Sequence, residues 1–180
     1  MFARTERLLL RPGFPEDAPA LAAAIGDERI VRNLATVPWP YRASDAEAFL
    51  AQPRDPILPS FLITERTGAA PRIVGGSRLC RRASGAVELG FWVASEQWRR
   101  GIATEAASAV IDIARTLRFP VLEAAHFLDN PASARVLEKL GFASTGIVAP
   151  RLSLARGEQV PARLMRLCLS CQRDIEPLAA

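Results

Sequence analysis

The feature that most constrains this chain is the junction around residues 88 to 117. The apolar run Glu88-Leu89-Gly90-Phe91-Trp92-Val93 alternates like a strand, Ala94 to Arg100 reads as a loop, and Gly101 opens the most strongly periodic segment of the sequence. From Gly101 to Leu117, Ile102, Ala106, Val110, Ile113 and Leu117 recur at helical spacing, and Pro120 stops the helix. A strand feeding through a loop into a long amphipathic helix requires a sheet with a helix packed on one face. It also places a helix N-terminus beside the end of a strand. The first turn of a helix holds amide N–H groups without partners and roughly half a positive charge, which suits a diphosphate. Gly101 and Ala103 keep side chains small where a phosphate would approach, while Arg99, Arg100 and the Thr104 hydroxyl add donors and charge.

The remaining elements build the rest of an α/β fold. Thr5 to Arg11, closed by Pro12-Gly13, is a first strand. Pro15 to Ile25 forms a helix with an acidic first turn, Glu28 to Leu34 a short one, and Ser44 with Glu47 a capping box that opens another. Ser60 to Thr64, Arg72 to Arg81 and Ala86 to Val93 form an antiparallel meander turned at Thr67-Gly68 and Ser84-Gly85. Val121 to Phe127 is a strand, Pro131 to Leu140 a helix with Gly141 placed to cap it, and Phe142 to Val148 and Ala162 to Leu169 are closing strands. Residues 1 to 180 read as one domain, a size at which roughly 70% of the unfolded surface is buried.

Composition excludes several classes. The residues are 49% hydrophobic and 23% charged, neither a disordered nor a membrane composition. The start, Met1 to Arg7, places charge ahead of only three leucines and lacks a signal peptide's apolar core, so a cytoplasmic protein is expected. The net charge of +4 comes from arginine, since Lys139 is the sole lysine. Arginine's planar fork suits phosphates, although charge alone identifies no partner and no motif points to specific DNA binding or a membrane. Three cysteines and one histidine leave no evident metal site, and the Cys168/Cys171 pair is read as structural. A phosphate loop of the G-x-x-x-x-G-K-[ST] kind is absent.

The string from Glu88 to Ala106, E-L-G-F-W-V-A-S-E-Q-W-R-R-G-I-A-T-E-A, resembles the acetyl-coenzyme A motif of the GNAT acyltransferases, Q/R-x-x-G-x-G/A. Gly101 and Ala103 fill its last two places, and Trp98 stands in the first, as is common in the RimJ/RimL-like branch of ribosomal-protein N-terminal acetyltransferases. The stretch Asp129 to Phe142 resembles that family's N-x-x-S-x-x-v-l-e-k-l-G-F helix. The resemblance implies a mixed, mostly antiparallel sheet of about seven strands, splayed between the fourth and fifth, with flanking helices. It implies a cleft where a thioester lies, which a β-bulge near Trp92 would serve.

The activity implied is transfer of an acetyl group from acetyl-coenzyme A to a primary amine, a protein N-terminus or a small molecule, without a metal. Cofactor contacts then fall to Trp92, Val93, Trp98, Arg99, Arg100, Gly101, Ile102, Ala103, Thr104, Asn130, Ser133 and Arg135. Backbone N–H groups around Val93 would polarise the acetyl carbonyl, Asn130 would hold the pantetheine arm, and Ser133 would protonate the thiolate.

Glu88 is read either as the general base, its pKa lifted by burial, or as a salt-bridged strand residue. His126 is a second candidate base or a core histidine, and Asn130 a helix N-cap followed by Pro131 at the first helical position. Glu105 is read as a support for the loop. The acceptor would enter near Val37 to Tyr41, with Trp39 and Tyr41 as walls, and near the turn from Arg151 to Val160, polar enough from Arg151 to Glu158 for a mobile loop. A non-catalytic coenzyme A-binding or ribosome-associated module is the alternative, as a monomer or a homodimer.

Overall fold

The computed structural model describes residues 1–66 and 71–170. Its elements are β1 (Ala3–Arg4), β2 (Leu8–Arg11), α1 (Ala18–Ile25), α2 (Glu28–Val31), α3 (Ala43–Leu50), β3 (Ser60–Glu65), β4 (Ile73–Arg81), β5 (Val87–Val93), α4 (Ile102–Thr116), β6 (Val121–Phe127), α5 (Pro131–Lys139), β7 (Ala143–Ser153) and β8 (Glu158–Cys168). Among the described residues the strands form one sheet in the order β1-β2-β3-β4-β5-β6-β8-β7. Every neighbouring pair is antiparallel except β5 and β6, which run parallel and meet at a single register pair, Glu88 and Glu123. The sheet therefore opens beyond Glu88.

Strand alternation sorts the core into two layers. Phe61 and Ile63 of β3 pack with Ile102, Ala106 and Val110 of α4, whereas Leu62 packs with Leu21, Ile25 and Ala46 from α1 and α3 on the opposite face. Each such buried aliphatic or aromatic side chain contributes about 1.5–3 kcal/mol. Helix α4 ends where Arg118 adopts φ 59° and the Phe119 N–H donates to Ala114 O, ahead of Pro120.

The expected first strand is instead a small hairpin, which raises the count from about seven to eight. Thr5 to Arg7 turns away because Glu105 of α4 accepts hydrogen bonds from the Thr5 hydroxyl, the Arg7 backbone N–H and Arg7 Nε. Burial pushes the Glu105 carboxyl up, and these bonds outweigh it, holding the carboxyl below its usual value.

Three further expectations are corrected. Helix α3 starts at Ala43, and its cap is the Asp45 carboxylate accepting the Arg42 N–H at 2.7 Å rather than a Ser44/Glu47 box. The β4–β5 ladder carries no bulge at Trp92, its register running unbroken from Arg81/Val87 to Gly75/Val93, and the nearby irregularity lies instead between β3 and β4 at Ile63/Thr64. The segment from Arg151 to Val160 is not a mobile loop. It forms the paired ends of β7 and β8, tied down where Arg156 meets Asp129 at 2.7 Å and Leu154 N–H meets Ala35 O. The expected Thr67-Gly68 turn and Cys171 lie outside the described residues.

Candidate functional site

At the end of β5 the chain passes through a 3-10 turn, Ser95–Gln97, and reaches α4 through two left-handed residues, Arg99 at φ 65° and Gly101 at φ 77°. A Cβ on Gly101 would touch nothing closer than 3.5 Å, so backbone conformation rather than crowding calls for glycine here. The first helical bond runs from the Glu105 N–H to Gly101 O. The N–H groups of Ile102, Ala103 and Thr104 thus have no intrahelical acceptor and form an anion-binding terminus.

Trp98 closes this loop. Its Nε1 donates to Val93 O at 2.8 Å, and the Arg29 guanidinium lies 5.7 Å from its ring centroid. Arg100 is tied back to Glu65 at 3.0 Å and to Gln97, and Arg7 donates to its carbonyl. Arg99 is exposed and makes no ion pair among the described residues.

The gap between β5 and β6 presents backbone groups. Ala94 N–H donates to Val74 O at one end of β4–β5, and Arg82 N–H to Ala86 O at the other. Antiparallel alternation then assigns Glu88, Gly90 and Trp92 to hydrogen bonds with β4, gives the Leu89 N–H to the single β5–β6 bridge at Glu88/Glu123, and turns the N–H groups of Phe91 and Val93 toward the gap. A cavity of about 510 Å³ occupies this place, with walls from both faces of the sheet. Ser133 and Leu137 of α5 line one side, and Tyr41, Phe49 and Trp92 the other. The Trp92 ring lies across β4 at Gly76, where any Cβ would collide with the indole nitrogen.

The cavity unites Tyr41, Glu88, Trp92, His126 and Ser133, while Trp39 is exposed outside it and Arg135 is exposed on α5. Glu88 is a paired carboxylate. Arg151 grips it with a two-pronged fork at 2.7 and 2.8 Å, and Arg82 Nε stands 3.5 Å away. The hydrogen bonds that Arg151 donates to Glu88, and the charge of that carboxylate, hold the Arg151 guanidinium above its usual value against the opposing effect of burial. Of the two sequence readings of Glu88, the salt-bridged strand residue describes its surroundings, and purely apolar burial does not.

His126 is buried, with Nδ1 2.9 Å from the Phe127 carbonyl. A carbonyl only accepts, so Nδ1 is the donor in this bond. Burial, then Asp45, pushes the Tyr41 hydroxyl up to about 12, so it stays an O–H donor.

Asn130 caps α5, accepting the Ser133 N–H at 3.2 Å with its Oδ1, and its NH2 group is the donor left for a ligand. Asn130→Ala is expected to cost about 1 kcal/mol, lowering the thermal unfolding midpoint by roughly 2–4 °C. An unchanged midpoint would show that the cap contributes nothing to stability.

Sequence reasoning missed Arg151 as the partner of Glu88, and Arg78 and Arg82 as cavity residues. Arg78 on β4, and Arg82 just past its end, could have been found by strand alternation, whereas Arg151 stands 63 residues from Glu88 with no local signal. No cluster of three or more His, Cys, Asp or Glu able to hold a metal exists among the described residues, nor any helix long and apolar enough to cross a membrane.

Residues 7–143 match the family described as "Acetyltransferase (GNAT) domain". The chain is 29% identical over 152 residues to the uncharacterized N-acetyltransferase YoaA of Bacillus subtilis (strain 168), covering 80% of this chain and 84% of that protein. In structure it is similar to a GNAT-family acetyltransferase from Bacillus anthracis, with a TM-score of 0.79, 19% identity, and 94% and 99% of the two chains covered. It is also similar to the spermidine N-acetyltransferase of Vibrio cholerae in complex with CoA and spermine, with a TM-score of 0.75, 18% identity, and 92% and 98% covered.

Proposed function

This chain belongs to the GNAT acetyltransferase family, and from that premise we propose that it transfers an acetyl group from acetyl-coenzyme A to a primary amine. The observation that carries the proposal is the placement of a helix terminus with free N–H groups beside a gap that runs through the sheet. The diphosphate of the cosubstrate fits the N–H groups of Ile102, Ala103 and Thr104 at Gly101, with Arg99 as its exposed cation. Trp98 holds the loop in shape, and Arg100 supports it through Glu65. Asn130 and Arg135 flank the pantetheine path from α5, and Trp92 and Val93 border the thioester.

The amine nitrogen forms a bond to the acetyl carbon, and the carbon–sulfur bond breaks. The N–H of Val93, turned into the gap, polarises the carbonyl oxygen. The thiolate leaves with the sulfur electron pair and takes a proton from the Ser133 hydroxyl, which lies in the same cavity and regains a proton through water from the one the amine gives up. Glu88 retains lone pairs beyond the Arg151 fork and accepts an N–H of the entering amine, and the proton lost by that nitrogen leaves through Glu88 or a water beside it.

The RimJ/RimL-like motifs fit a protein N-terminus as the acceptor, with a small-molecule amine as the alternative. An α-amino group, with a pKa near 7.7–8.0, is partly neutral at physiological pH, whereas a lysine near 10.4 is almost wholly protonated. A site without a strongly basic catalyst therefore serves the α-amine better.

The test is the thermal unfolding midpoint with and without acetyl-coenzyme A, with ATP as the phosphate-bearing control. Acetyl-coenzyme A at about 100 times its dissociation constant is expected to add roughly 2.7 kcal/mol, or some 5–11 °C. A shift no larger than that from ATP would overturn the proposal.

A further inference from the structure

The charges lining the cavity do not cancel. Arg78, Arg82 and Arg151 face only Glu88 and Asp45. Glu88 is engaged by Arg151 at 2.7 Å and Arg82 at 3.5 Å. Asp45 is engaged in capping α3 through the Arg42 N–H. Arg78 has no carboxylate partner among the described residues, and its one hydrogen bond, to Thr36 Oγ1, is long at 3.4 Å.

Arg78 pairs with Gly90 across the sheet, and both line the cavity. Cys80 pairs with Glu88, so Arg78 and Glu88 are diagonal neighbours on one face of β4–β5. Such neighbours stand roughly 7–8 Å apart at Cα, within the span of a small bifunctional molecule. The protonated Tyr41 hydroxyl lines the same cavity as a further donor.

We propose that the acceptor amine carries an oxyanion, a carboxylate or a phosphate, which Arg78 binds while the amine faces Glu88; this rests on the acetyl-transfer reading above. The planar guanidinium fork matches either oxyanion, and the surplus positive charge repels a second ammonium group. A polyamine is thereby disfavoured. The amine and the oxyanion are separated by only a few bonds, as in an amino acid or a phosphorylated amino alcohol.

The experiment compares kcat/KM with acetyl-coenzyme A for L-phenylalanine against phenethylamine, O-phosphoethanolamine against ethanolamine, and spermidine. Rates are corrected for the fraction of neutral amine. The oxyanion-bearing member of at least one pair is expected to be favoured about tenfold or more. The pair that shows it identifies carboxylate or phosphate as the source. Arg78→Gln brings that ratio to about one, and Arg78→Lys keeps part of it. Preference for the partners that lack an oxyanion or for spermidine, or a ratio unchanged in Arg78→Gln, overturns the inference.

A calorimetric titration of L-phenylalanine and O-phosphoethanolamine into CoA-saturated protein reads the same site without turnover. Binding weakened about tenfold by Arg78→Gln supports the assignment, and no binding, or binding that Arg78→Gln leaves unchanged, removes it. Failure of acetyl transfer itself reads differently: no midpoint shift with acetyl-coenzyme A and no turnover of any amine.

Discussion

Gly101→Asp is expected to abolish acetyl-coenzyme A binding while leaving a folded protein. Gly101 sits at φ 77°, where a non-glycine residue costs roughly 1–2 kcal/mol of backbone strain, a loss this fold should survive. The charge matters more. An aspartate at the N-cap of α4 places a carboxylate among the N–H groups proposed to hold a diphosphate. Two like charges about 4 Å apart at an effective dielectric near 20 repel by about 4 kcal/mol, or roughly a thousandfold in affinity. It also competes for the same donors, because aspartate is a favoured N-cap. Gly101→Ala carries the strain without the charge and should keep most of the acetyl-coenzyme A midpoint shift. An undiminished shift in Gly101→Asp would move the cofactor site elsewhere.

Arg151→Met is expected to lower stability by about 3 kcal/mol, or roughly 8 °C in unfolding midpoint. The variant strands Glu88, whose side chain is only 11% exposed, with Arg82 at 3.5 Å as its remaining partner. Removing one member of a buried pair costs about 3–5 kcal/mol, and the residual Arg82 contact places this case at the low end. The double variant Arg151→Met/Glu88→Gln should recover much of the loss, since no unpaired charge is then left. A loss in the double variant equal to the sum of the single ones would show that the pair has no energetic coupling. Glu88→Gln alone should lower kcat/KM while leaving the acetyl-coenzyme A midpoint shift intact. Unchanged turnover in that variant would leave Glu88 a purely structural partner of Arg151.

The two predictions draw on different kinds of information. Everything behind the first was legible locally: Gly101, Ala103 and the periodicity of α4 determine a helix start, and a helix start carries its own free N–H groups and dipole whatever surrounds it. Asn130, followed by Pro131, likewise determines the cap of α5 within four residues. The place where the sheet parts came from the family resemblance of the 88–106 and 129–142 motifs, since a strand–helix–strand crossover by itself leaves parallel strands paired.

Tertiary structure alone decided the rest. The hairpin at β1–β2 exists because Glu105 reaches Thr5 and Arg7 across about a hundred residues, and no local propensity encodes that reach. Trp98 looked like a departure in a motif position, yet its indole N–H holds the end of β5. Glu88 could be placed on a strand, but its partner comes from β7, the far edge strand, brought over the cavity by a hairpin that read as a loop. Local sequence determines backbone conformation because propensity, capping and dipole act within a turn or two. The charge state and company of a buried side chain depend on which distant strands meet, and that is decided only when the whole core closes.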